Sequence, residues 1–271
     1  FVNLDFEGIK EQDLAAHALI AKIADEIDMS ARVSRRLPVR WSGVYPNDPA
    51  HRRLVKAMGV IKQLRVRHEY LSPAEEARLT LFVRHCRNYI AAVKPKTADE
   101  KTLAAEKFAD YMNNCLESCQ KQLTPTARHM LCSRIGELLD NAEQHAGMVD
   151  WTIKGYLDTS LSSPLCEIVI FNFGKSLADT LGELPIDGFT MRQISPYLDM
   201  HVRRGLFGAK WRRPDLLTVL ALQQGVSSKN TSGQTTRGKG TTDLLEFFQK
   251  INDELAKESE QGAKMTIISG D

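Results

Sequence analysis

The stretch "GELLDNAEQHAG", residues 136–147, ends a helix and sets a carboxylate, an amide and an imidazole four residues apart, at Glu137, Asn141 and His145. Four residues is about one helical turn, so the three side chains share one stripe. Upstream, "TPTARHMLCSRI" supplies Thr124 as N-cap and Pro125 in the first turn, and Gly147 is the stop. A helix is therefore expected over roughly 125–146. Its apolar set is Leu131, Ile135, Leu138, Leu139 and Ala142, and Glu137 and Asn141 border that set instead of lying opposite it. Such a border faces either water or a ligand. The string alone does not decide.

Two later stretches bear on the choice. "IVIFNFGKS" (168–176) is a buried-type strand running into Asn172, Gly174 and Ser176. A glycine there lets the backbone approach a flat ligand, and the neighbouring amide can read its edge. "SGQTTRGKGTTDLLEFF" (232–248) is a glycine-rich loop leading into a helix. Gly233, Gly238 and Gly240 can expose backbone N–H groups at a helix N-terminus, a setting that suits phosphate, and Arg237 and Lys239 add positive charge.

This order of motifs, over about residues 100–271, resembles the GHKL ATPase superfamily of gyrase B, the ninety-kilodalton heat-shock chaperone, histidine kinases and MutL. "ELLDNA" is similar to that family's N-box, "NFGKS" to its first glycine box and "TRGKGT" to its second. The resemblance implies a Bergerat-type α/β sandwich, helices over a mixed, mainly antiparallel sheet, with ATP between the layers. It implies Glu137 as the general base that orients the attacking water and Asn141 as the ligand of Mg²⁺. It implies Asn172, Gly174, Lys175, Arg237, Gly238, Lys239, Gly240 and Thr241 as further ATP contacts, and residues 185–237 as the ATP lid. His145 is either a phosphate contact or an ordinary helix-end histidine facing the C-terminal dipole. Two positions depart from the pattern. Asn172 stands where the family has the aspartate that accepts from the adenine amino group. Asparagine can accept and also donate, so adenine selectivity is less secure than nucleotide binding. The chain also stops at "ISGD" where the fold continues into another strand, so an incomplete sheet is expected.

The first residues read as a small α/β unit over 1–66, with strand-like "FVNLDFEGI" and "RLPVRWSGVY" alternating with helices at 11–31 and 48–60. The alternation is faintly similar to a STAS-type module. Residues 67–98 read as a helical connector, because Ser72-Pro73 with Glu75 or Glu76 opens "SPAEEARLTLFVRHCRNYIAAV" like a capped helix. The ATP-binding region then spans 99–271, with a long, irregular segment at 185–237 carrying one clear helix, and a final strand at "AKMTIISG". "HEYLSP" (68–73) matches the pattern around a sensor-kinase phospho-accepting histidine. Pro73 would break the continuous helix that His68 needs for that role.

With 271 residues, 26% charged and a net charge of +2, the chain lacks the bulk basicity of a nucleic-acid binder, although "HVRRGLFGAKWRR" (201–213) is locally basic. Apolar runs such as "CEIVIFNF" are too short to span a bilayer. Five cysteines, an odd number in a chain of this size, read as buried, reduced thiols in a cytoplasmic protein. The expected ligands are ATP and Mg²⁺, with a homodimer or protein partner. Three functions remain open: an ATPase switch, an anti-sigma-type protein kinase, and a non-hydrolysing nucleotide-gated module.

Overall fold

The computed structural model describes residues 1–271 apart from 12, 35–38, 63, 65, 88–96, 146–149, 162–163, 203–210, 229, 231–239, 257–263 and 271. The protein is mixed α/β, and it divides into two compact units. One comprises Phe1–Cys86, Lys107–Thr124 and Thr152–Phe171, and the other Arg87–Glu106, Pro125–Trp151 and Asn172–Asp271.

The first unit begins with β1 (Val2–Asp5), α1 (Leu14–Val33), β2 (Trp41–Val44) and α2 (Pro49–Met58). β1 and β2 pair in parallel, with Val2 opposite Trp41 and Asp5 opposite Val44. Parallel neighbours need a crossover, and α1 supplies it. Asp13 caps α1 by accepting from the Ala16 amide at 2.7 Å, and Asp48 caps α2 by accepting from the His51 amide at 2.8 Å. Phe6, Ala21, Ala24, Val60 and Leu64 form the core of this part.

The helical connector is not what forms next. Ser72 and Glu75 do make the expected capping box, but the helix it opens, α3 (Pro73–Glu76), has only four residues. Residues beyond it form β3 (Leu79–Arg87). "LTLFVRHCR" alternates along the chain, and this period-2 pattern outweighs the helix-start signal before it. Phe82 of β3 packs on Phe108 and Tyr111 of α4 (Thr97–Glu117), with ring centroids 5.8 and 5.3 Å apart. His68 lies in the non-helical segment before α3, its Nδ1 3.1 Å from the Val66 carbonyl oxygen.

β3, β4 (Asp150–Asp158) and β5 (Leu165–Asn172) form a three-stranded antiparallel sheet with β4 in the middle. All nine residues of β4 are buried, as expected of a central strand covered on both faces. On one face Tyr156 packs with Leu14, Leu54, Met58 and Val169, so α1 and α2 cover it. On the other face the Tyr111 ring lies directly against Gly155, where an added Cβ would stand 2.5 Å from the ring. Gly155→Ala must therefore displace Tyr111 and is expected to cost about 1–3 kcal/mol. Urea midpoints check this, and the loss should shrink when Tyr111 is first replaced by leucine.

The α1-facing side of the sheet also buries charge-bearing groups. His17 is 1% exposed and Lys154 is 3% exposed. Burial pushes the His17 pKa down to about 4, with Lys154 and His51 lowering it further and Asp13 opposing. Burial likewise lowers the Lys154 pKa. A histidine depressed from 6.5 to about 4 binds its proton more weakly in the folded state. Stability is thus undiminished above pH 6.5 and falls as pH drops toward 4, by about 3 kcal/mol in total. Urea melts at pH 7 and pH 4 should show this fall for the wild type and a smaller one for His17→Gln. An equal fall in both would remove His17 as the cause.

The second unit contains the first half of α4 together with α5 (Pro125–His145), α6 (Leu177–Gly182), α7 (Phe189–Val202), α8 (Arg213–Ala221) and α9 (Gly240–Ala256). In segment 185–237, expected to be irregular with one helix, the described residues form two. α7 was hidden by Pro196, which sits inside it and removes one helical N–H. Met191, Ile194 and Leu198 of α7 pack with Leu217 of α8 and with Ala178 and Leu181 of α6 in one core. The strand expected at "AKMTIISG" does not form: residues 264–270 carry no regular structure. There the Ser269 hydroxyl oxygen instead accepts from the Leu177 amide at 2.8 Å. Among the described residues no helix is long and apolar enough to cross a membrane.

Candidate functional site

α5 buries Leu131, Ile135 and Leu139, the centre of the apolar set expected from its spacing. Glu137 lies at the border of that face, its side chain 39% exposed. Arg134, one turn earlier, donates from Nη1 to Glu137 Oε2 at 3.4 Å and from Nη2 to Asp243 Oδ2 at 2.6 Å. Asp243 belongs to the first turn of α9, where an acidic side chain favours the helix dipole. One guanidinium thus joins Glu137 to the start of the helix that follows the glycine-rich loop. Its Nε is buried and has no hydrogen-bond partner among the described residues. A buried N–H donor left over beside two carboxylates is costly unless an acceptor comes to it.

The other acids of "ELLDNAEQ" have different partners. Lys101 of α4 binds Asp140 and, at 2.8 Å, Glu143, and Glu143 also accepts from Trp151 Nε1 at 3.1 Å. Burial works against the Lys101 charge, but the two carboxylates hold its pKa above the ordinary lysine value. Asp140 and Glu143 therefore fasten α4 to α5 and leave Glu137 to Arg134. An open cleft of about 790 Å³ runs between the first half of α4 and α5, and Lys101, Arg128, His129, Ser133, Glu137 and Asp140 are among its lining residues. Of the expected site residues, Glu137 reaches this cleft.

Asn141 stands one turn beyond Glu137 on α5 and is half-buried. His145 is the last residue of α5, and its side chain lies outside the described residues. Asn172 ends β5 and is exposed, and Gly174 has φ 150°, a conformation that favours glycine. Lys175 pairs with Glu183, and Ser176 caps α6 in a capping box with Asp179. Among the described residues no hydrogen bond or ion pair joins Asn172, Gly174 or Lys175 to α5 or α9. Gly240 is the first residue of α9. Arg237, Gly238 and Lys239 lie outside the described residues, as does the Thr241 side chain.

The residues that sequence reasoning missed are Arg134 and Asp243. Arg134 was legible as an i, i+3 partner of Glu137, whereas its bond to Asp243 depends on how α9 packs on α5. The cysteines need a correction too. None of the five is in a disulfide and Cys86 and Cys115 are buried, but Cys119 and Cys166 are exposed. In the basic 201–213 stretch, Arg212 is bound to Asp215 at 2.9 Å, while residues 203–210 lie outside the described set. Comparison with protein-family models, curated proteins and solved structures gives no match.

Proposed function

We propose that this protein is a Mg-ATP-dependent ATPase of the GHKL type, working as a nucleotide-driven conformational switch. The observation that carries the reading is the Arg134 bridge from Glu137 to Asp243. In the resemblance, Glu137 activates water and the loop before α9 cradles phosphate. A salt-bridge chain between those two parts keeps the general base beside the phosphate-binding end of α9, which is what hydrolysis of a terminal phosphate requires. Arg134 Nε, without a hydrogen-bond partner among the described residues, suits a phosphate oxygen, so the residues present fit an anionic ligand.

Asn141 offers Mg²⁺ a neutral carbonyl oxygen, which fits an ion that keeps several waters and binds mainly through substrate phosphates. When bound, the ion neutralises charge that develops on the phosphates. Glu137 accepts the proton of the attacking water, and Arg134 holds that carboxylate in place. Asn172 reads the base edge. The helices of 185–237, which share an apolar core with α6, then form the lid.

The test is to incubate the protein with Mg²⁺ and γ-labelled ATP and follow the label. Free labelled phosphate above a blank supports the ATPase. Label retained on protein would replace hydrolysis by phosphotransfer. Failure of ATP to bind at all would end the nucleotide reading.

A further inference from the structure

Within the first unit, α4 and β5 bring together three groups that the proposed ATPase does not use. Tyr111 and Cys115, one turn apart on α4, face Cys166 on β5, 51 residues further along the chain from Cys115. The Tyr111 hydroxyl lies 3.8 Å from Cys166 Sγ. The Cys115 thiol neighbours the same sulfur and is the largest influence that lowers its pKa. Tyr111 and Cys115 are buried, 3% and 7% exposed, whereas Cys166 is exposed. The arrangement is asymmetric: the sulfur of an exposed residue is flanked by two hydrogen-bonding groups, one of which is a second thiol.

We propose that Cys166 is a peroxide-reactive thiol and that Cys115 is its resolving partner. Hydrogen-bond donation stabilises the thiolate, which is the nucleophilic form. The Cys115 and Tyr111 donors lower the Cys166 pKa against the effect of burial, while the same contact and burial raise that of Cys115. Hydrogen bonding thus favours the thiolate at Cys166 over that at Cys115. The thiolate attacks an oxygen of a hydroperoxide, ROOH. The O–O bond breaks, RO⁻ leaves and takes a proton from solvent as ROH, and the sulfur becomes a sulfenic acid, oxidised by two electrons. The Cys115 sulfur then attacks the sulfenic sulfur. An S–S bond forms, the S–O bond breaks, and hydroxide leaves with the Cys115 proton as water. The product is a disulfide that ties α4 to β5.

The full chain, reduced and then treated with hydrogen peroxide, is digested without reductant and analysed by mass spectrometry. The expected product is a Cys115–Cys166 peptide pair two hydrogens lighter than the separate peptides, formed before Cys119 is modified. With Cys115→Ser, a sulfenic-acid trap such as dimedone should label Cys166. Tyr111→Phe, which keeps the ring against Gly155, should slow alkylation of Cys166 by iodoacetamide at pH 6.5 by at least about threefold. Oxidation of Cys119 ahead of Cys166, or an alkylation rate unchanged in Tyr111→Phe, would overturn the proposal.

Discussion

Glu137→Ala is expected to lower ATP turnover by about 10²–10⁴-fold while leaving nucleotide affinity close to wild type, the size of effect that a positioned general base supplies. The change should not harm the fold. Glu137 is 39% exposed, and its one described bond is the 3.4 Å contact from Arg134 on the same helix. A pair of this kind is worth roughly 0–1 kcal/mol. Arg134 also keeps its 2.6 Å bond to Asp243, so the attachment of α9 to α5 survives the substitution. Glu137→Gln preserves shape and removes only the basic oxygen, so it should be equally impaired. The checks are phosphate release and equilibrium nucleotide binding measured on the same preparations. Unimpaired release in both variants would remove Glu137 from the reaction.

The largest expected effect on stability is at Arg53. Its Nε and Nη2 donate to Asp158 Oδ2 at 3.1 and 3.0 Å, and Asp158 is 1% exposed. Tyr156 also donates to Oδ2, and Ser160 donates to Oδ1 from both its amide and its hydroxyl. Burial raises the Asp158 pKa, but Ser160 and Arg53 together hold it below the usual carboxylate value. Arg53→Ala takes away the cation and leaves the buried carboxylate with neutral donors only. A loss of about 3–5 kcal/mol is expected at pH 7, read from urea unfolding. Adding Asp158→Asn should recover part of the loss, because the stranded charge is removed with its partner. A loss below about 1 kcal/mol in the single variant would mean that water reaches the carboxylate.

How much was legible in the sequence follows from how local each signal is. Asp48-Pro49 and the run from Pro125 into "ELLDNA" carry their own start signals and apolar spacing, and α2 and α5 form where these place them. β3 was misread because Ser72 and Glu75 do make a capping box, and that local signal says nothing about how far the helix continues. What extends the segment as a strand is pairing with β4, a partner some 70 residues away. α7 escaped notice for the opposite reason. Pro196 is a local stop signal, overridden by the packing of Met191, Ile194 and Leu198 on α6 and α8. "AKMTIISG" has strand-forming composition, but its described residues, 264–270, join neither sheet, and composition alone does not make a ladder. At the candidate site, the α5 stripe could be read from spacing. The split of its acids between Lys101 and Arg134 could not, because that depends on which helices flank α5.

The first unit is assembled from three separate stretches of chain, ending at Cys86, Thr124 and Phe171. On a ribosome this dictates an order of events. When residue 98 has been made, β3 exists without its neighbour, and the helix that covers Phe82 has yet to be completed. Nascent chain of this kind keeps an open strand edge and apolar side chains in water until β4 and β5 emerge seconds later, a period in which holdase chaperones act. A gene cut at any single point before Phe171 divides the unit, and only a fragment that reaches Phe171 contains all three of its stretches.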